Sequence, residues 1–163
     1  MQILVTGMSG TGKSTALVEL GRRGHQVVDL DLPRWSVQVP DPAGPGQVQL
    51  WREDAVGGRL AAHRAGWLFV AGCAANQGRF YDRFDAVVLL SAPPELMLQR
   101  IADRTSNDFG KSDADRQRVL ADLEQVEPLL RATSTTEIVT SIPVTAVADR
   151  LEELARRVGR VPG

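Results

Sequence analysis

The chain has one cysteine, Cys73, two histidines, one tyrosine and, against seventeen arginines, only two lysines in 163 residues. A single cysteine cannot close an internal disulfide, so the fold requires no oxidising compartment. His25 and His63 stand alone, with no second His or Cys at ligand spacing, and both are expected at the surface. No apolar run approaches the roughly 20 residues that span a bilayer. The opening Met1-Gln2-Ile3-Leu4-Val5-Thr6 is too short, and lacks the basic leader, for a signal peptide. A cytoplasmic chain with no membrane partner is the expectation. An excess of either charge is also missing: 19 Lys+Arg against 20 Asp+Glu leave −1. That balance argues against a nucleic-acid binder held by bulk electrostatics. What remains, 43% hydrophobic and 24% charged residues, is the composition of an ordinary globular domain with one core.

Short apolar runs alternate with helical periodicity, which predicts an α/β fold. Strands are predicted at 2–6, 26–30, 67–71, 86–90 and 137–140, and helices at 14–23, 50–64, 94–104, 113–131 and 145–158. Ser112 is the expected cap of the 113–131 helix. Residues 72–79 read as a polar loop. The stretch from 31 to 50 breaks the rhythm with Pro33, Pro40, Pro42 and Pro45, and is predicted to be a long acceptor-side loop. Trp35 and Trp51 flank it, either as core anchors or as an aromatic wall. Residues 1–158 form one doubly wound domain, and 159–163 a flexible tail.

Gly7-Met8-Ser9-Gly10-Thr11-Gly12-Lys13-Ser14 fits G-x-x-x-x-G-K-[ST] between a predicted strand and a predicted helix. Glycines let the loop bring backbone N–H groups to phosphate oxygens, and the helix N-terminus adds unpaired donors. Lys13 is placed to reach the β- and γ-phosphates of a nucleotide, and Ser14 to ligate Mg²⁺. Asp29 and Asp31 end the second strand, where the C-terminal sheet edge faces the ligand crevice. They can serve the metal's water shell and accept a hydroxyl proton, or be strand-end turn residues. Arg100 and Arg104 share one helix face, and Lys111 lies in a glycine-hinged polar segment after them. Residues 105–116, with Lys111 and Arg116, look like a lid. Cys73 is read as a small buried filler or as part of the acceptor pocket's lining.

These motifs resemble the small P-loop kinases of the adenylate kinase and shikimate kinase type. The resemblance implies a three-layer α/β/α P-loop NTPase with a five-stranded parallel sheet in the order 2-3-1-4-5. It implies ATP and Mg²⁺, with Gly7, Ser9, Gly10, Thr11, Gly12, Lys13, Ser14, Thr15, Arg100, Arg104 and Pro143 holding the nucleotide. Arg100-Ile101-Ala102-Asp103-Arg104 looks like the lid-base segment in which the first arginine stacks on adenine and the second contacts phosphates. Thr140-Ser141-Ile142-Pro143-Val144 resembles the late loop against the base. The pair in Asp29-Leu30-Asp31 is similar to that of shikimate kinases, Asp29 organising the magnesium shell with Ser14 and Asp31 meeting the acceptor hydroxyl. Lys13, Asp31 and Arg104 form the implied catalytic set. Asp31, Arg34, Gly72, Asn76 and Arg79 form the acceptor set, with Arg34 and Arg79 at the positions of acceptor-phosphate arginines.

Two departures stand out. The triple glycine after strand three is replaced by Gly72-Cys73-Ala74-Ala75-Asn76-Gln77-Gly78, and the acceptor-binding helices by the Pro/Gly-rich stretch. The expected activity is transfer of the ATP γ-phosphoryl group to the hydroxyl of a small polar metabolite by a monomer or homodimer. A nucleoside monophosphate kinase and a non-catalytic ATP-binding switch are the alternatives. No Asn-Lys-x-Asp guanine-reading motif is present, and 163 residues leave no room for the second domain of an AAA+ machine.

Overall fold

Ile3, Leu4 and Val5 alternate across the first strand, and each side chain is completely buried, so both faces of that strand must be covered. In the computed structural model, which describes residues 1–103 and 112–160, the strand is β1 (Gln2–Thr6), the centre of a five-stranded sheet. Its companions are β2 (Gln26–Asp29), β5 (Leu68–Ala71), β6 (Ala86–Ser91) and β7 (Thr136–Val139). The order is β2-β5-β1-β6-β7 and every pairing is parallel. Counting only these five, that is the predicted 2-3-1-4-5.

Helices close both faces. Ile3 and Val5 pack with Phe69, Val88 and Leu90 against α1 (Lys13–Arg22) and α6 (Val144–Val158), whose Leu17, Leu20, Val147 and Leu151 face inward. Leu4, Val28, Val70 and Val87 pack against α2 (Glu53–Ala61) through Val56 and Leu60. Each fully buried aliphatic side chain contributes about 1.5–3 kcal/mol, so β1 alone anchors a large share of the core. A third cluster joins Met97 and Ile101 of α3 (Pro94–Asp103) to Val119 of α4 (Asp113–Gln125). Ser112 caps α4 as predicted, its hydroxyl accepting from the Asp115 amide at 3.1 Å.

Four local predictions are corrected. The stretch from 31 to 50 is not a loop: it contains an antiparallel hairpin, β3 (Ser36–Pro40) and β4 (Gln47–Trp51). Pro40 ends β3 and the other prolines lie outside the strands, so none interrupts the ladder. Asp41 makes the turn, its carboxylate accepting from the Ala43 amide at 2.8 Å and its own amide donating to the Gly46 carbonyl at 3.0 Å. The 113–131 helix is two helices, α4 and α5 (Glu127–Thr133), parted at Val126 with Pro128 in the first turn of the second. The polar loop after β5 tightens into a 3-10 helix, Gln77–Arg83. His25 is half-buried, stacked on Trp67 at 5.2 Å with its Nε2 2.8 Å from Glu152. Among the described residues no helix is long and apolar enough to cross a membrane.

Candidate active site

The loop between β1 and α1 is shaped by close backbone approach. At Gly7 (φ 149°) a Cβ would lie 2.3 Å from the Leu90 carbonyl oxygen, and at Gly10 (φ 83°) 2.7 Å from that of Met97. Only glycine fits either position. α1 then begins with no side chain capping its N-terminus and no acidic residue in its first turn. Its orphan N–H groups and dipole therefore suit an anion.

Lys13 is buried, and its ammonium donates to the Gly7 carbonyl at 2.8 Å and the Met8 carbonyl at 3.3 Å. The two aspartates of the second strand end divide between the loop's two functional side chains. Asp29, the last residue of β2, accepts from the Ser14 hydroxyl at 3.1 Å through Oδ2 and from the Asp31 amide at 3.0 Å through Oδ1. Asp31 lies beyond the strand, with Oδ2 3.8 Å from Lys13 Nζ. Its Oδ1 accepts from the Gln49 side-chain amide at 2.8 Å and the Cys73 backbone amide at 3.2 Å. Lysine, serine and both carboxylates thus form one constellation at the C-terminal sheet edge.

Arg100 joins α3 to the opposite side of the loop. It donates to the Gly10 carbonyl at 3.3 Å and to the Thr140 hydroxyl and carbonyl at 2.9 and 2.6 Å. The Thr140 hydroxyl also lies 2.9 Å from the Thr11 carbonyl. The loop after β7 is thereby tied to the phosphate-type loop, and Pro143 follows at the N-cap of α6. Arg104, Lys111 and most of the predicted lid fall outside the described residues, while Arg116 lies exposed on α4.

The remaining acceptor candidates have other engagements. Arg34 lies over the Trp35 ring at 5.3 Å. Arg79 is exposed and paired with Glu53 at 2.6 Å. Asn76 spends its side chain on the backbone of Trp51, accepting from its amide at 2.8 Å and donating to its carbonyl at 3.0 Å. Gly72 makes room for a core residue, since a Cβ there would lie 3.2 Å from the Trp51 indole. Trp51, 1% exposed, is a core anchor.

Three residues at the site carried no signal in the sequence reading. Gln49 reaches Asp31 from β4, in the stretch read as loop. Arg118 of α4 donates to the Gln47 carbonyl at 3.1 Å, bridging α4 to the hairpin. Asp122 lies one turn on from Arg118; partial burial raises its carboxyl against the pull of the Arg118 charge. Its field, like that of Asp31, is felt at Cys73, whose thiol is raised mainly by burial. Ser14 and Asp29 offer the oxygen donors a hard divalent cation takes. Among the described residues no cluster of three His, Cys, Asp or Glu side chains forms a metal site of its own.

Solved structures share the fold. Shikimate kinase from Acinetobacter baumannii, in complex with shikimate, is similar with a TM-score of 0.66 at 19% identity, over 99% of this chain and 95% of that one. Shikimate kinase from Bacteroides thetaiotaomicron gives 0.65 at 18%, over 96% and 98%. A gluconokinase from Sinorhizobium meliloti 1021 gives 0.62 at 21%, over 97% and 93%. The fold is therefore that of the small P-loop kinases of the adenylate and shikimate kinase-like group. A sequence comparison with curated proteins finds no match. The lysine–serine loop, both aspartates, the hairpin and Arg118 all lie within residues 3–121, the stretch that matches the AAA domain family, and the chain belongs to that family.

Proposed function

We propose that this protein is an ATP-dependent phosphotransferase that moves the γ-phosphoryl group of Mg–ATP to the hydroxyl of a small polar metabolite. The observation that carries the reading is the Asp31 carboxylate, one oxygen held by the Gln49 and Cys73 amides and the other 3.8 Å from the Lys13 ammonium. A base fixed beside the phosphate-binding lysine suits a reaction that must deprotonate an acceptor while charge moves onto phosphate oxygens. The glycine loop and uncapped helix end bind the phosphates through backbone N–H groups, with Lys13 as a point charge on the β- and γ-phosphates. Ser14 and Asp29 would hold Mg²⁺, which supplies charge neutralisation across the same two phosphates. The acceptor oxygen bonds to the γ-phosphorus as the bond from that phosphorus to the β,γ-bridging oxygen breaks. Asp31 takes the hydroxyl proton and ADP leaves. Arg100, fixed on Gly10 and Thr140, holds the adenine side of the nucleotide. Shikimate kinase and gluconokinase, both similar in fold, are named for hydroxylated small molecules, which supports a hydroxyl as the group phosphorylated here.

The test is ATP consumption screened over sugars, hydroxy acids, nucleosides and nucleoside monophosphates, with product mass measured. An acceptor-dependent rate is expected, lost at least about 100-fold in Lys13→Ala. In Asp31→Asn, turnover should fall about 100-fold or more while ATP affinity stays within about threefold, because proton transfer belongs to the chemical step. Tight ATP binding with no phosphorylated product from any class would instead identify a nucleotide-dependent binding module.

A further inference from the structure

The hairpin register puts Gln38 directly opposite Gln49, and the period-2 alternation gives them one face while Val37, Val39, Val48 and Leu50 take the other. The two amides are joined, Gln38 Nε2 donating to Gln49 Oε1 at 3.2 Å. Gln49 Nε2 in turn donates to Asp31 Oδ1 at 2.8 Å and to the Cys73 carbonyl at 3.1 Å. An amide ladder thus runs outward from the candidate base along the polar face of the hairpin. Gln38, exposed at its end, keeps its Oε1 acceptor and one N–H for a ligand.

Arg34, Arg52, Arg79 and Arg118, near this ladder, engage other groups rather than its amides. Arg34 lies over Trp35, Arg52 donates to the Pro33 carbonyl at 3.3 Å and Arg79 pairs with Glu53. Arg118 is bonded to the Gln47 carbonyl and acts on Asp122. The wall facing the acceptor therefore presents neutral amides with Asp31 behind them. A carboxylate or phosphate seated on this face would meet the Asp31 charge, and among the described residues no guanidinium bonds to Gln38, Gln49 or Asp31. Hydroxyl groups, which donate and accept, match amides that do the same.

From this juxtaposition we propose that the Gln38–Gln49 face selects an uncharged, polyhydroxylated acceptor, seated with one hydroxyl at Asp31 and a second on the Gln38 amide. The proposal rests on the phosphotransferase reading and narrows its substrate class.

Binding and transfer are measured separately to test it. Titration calorimetry with Mg²⁺ and a non-hydrolysable ATP analogue compares neutral pentoses, hexoses and alditols with their matched aldonates and with AMP. At least one neutral compound should bind about tenfold or more tightly than its matched acid. Gln38→Leu should weaken that compound about tenfold, the loss of one or two hydrogen bonds. Gln38→Glu, which keeps the length but loses the N–H donors, should weaken it as well. A carboxylate- or phosphate-bearing compound as tightest binder, no binding of any neutral member, or affinity unchanged by both Gln38 substitutions overturns the proposal. Mass analysis with ATP then separates the two claims. Gln38-dependent polyol binding without a phosphorylated product keeps the amide site and refutes the kinase reading. Phosphorylation of an anionic acceptor alone keeps the kinase reading and refutes the amide selector.

Discussion

Gly10 shows how one position couples the phosphate-type loop to the rest of the molecule. Its backbone stands at φ 83°, and the Met97 carbonyl of α3 fills the space where a Cβ would be. Gly10→Ala should cost about 2 kcal/mol or more, from the left-handed conformation and displacement of α3 backbone. ATP affinity should fall with it, because Arg100 also leaves α3 to bond the Gly10 carbonyl. Urea denaturation and nucleotide titration check the two effects; unchanged stability would show that the loop relaxes without moving α3. The spacing of Gly7, Gly10, Gly12, Lys13 and Ser14 was legible in the sequence because backbone geometry dictates it locally. Asp29 and Asp31 were legible as a pair, but their division between Ser14 and Lys13 was not. It depends on Asp31 leaving the strand and turning its amide onto Asp29.

The β3–β4 hairpin is held by an unusual fastening. Asn76 acts as a surrogate strand, taking the Trp51 amide and giving to its carbonyl where Trp51 is buried in the core. Asn76→Ala leaves both backbone groups without that partner, and should destabilise the protein by about 2–4 kcal/mol in denaturant unfolding. Asn76→Asp, which keeps the acceptor and loses the donor, should fall between; an alanine variant as stable as wild type would refute the fastening. The hairpin escaped sequence reading although Val37-Gln38-Val39 and Val48-Gln49-Leu50 do alternate. Four prolines in the same stretch outweighed that pattern, and their harmlessness follows from register, which only the paired strands reveal. The division of the 113–131 helix was missed for a related reason. One helix was read straight through Pro128, whereas that proline sits in the first turn of a second helix.

The parallel sheet was the most legible feature of the molecule, since β1, β5 and β6 are near-continuous apolar runs separated by helical patterns. Beyond the site, the edge of the sheet is tied down by charge. Glu137 of β7 accepts from Arg131 at 2.8 Å and from the Ser91 hydroxyl, and the Arg131 guanidinium holds its carboxyl at about 2, below the usual 4.5, against the opposing effect of burial. A carboxyl lowered on folding stabilises the protein fully above its unfolded value and loses that contribution as pH falls from about 4.5 through about 2. With half of Arg131 in solvent, the contribution is about 1–2 kcal/mol. Glu137→Gln should be less stable by that amount at neutral pH, with the gap closing toward pH ~2; parallel stability–pH curves for the two proteins would contradict it. The hairpin, finally, belongs to neither edge of the main sheet; among the described residues its two strands pair only with each other. Gln38, at the outer end of its polar face, can therefore change without disturbing the main sheet, whereas Gln49 ties the same face to Asp31. On the proposed reading, an exchanged hairpin that kept Gln49 would be a transplantable cassette for redirecting the choice of acceptor.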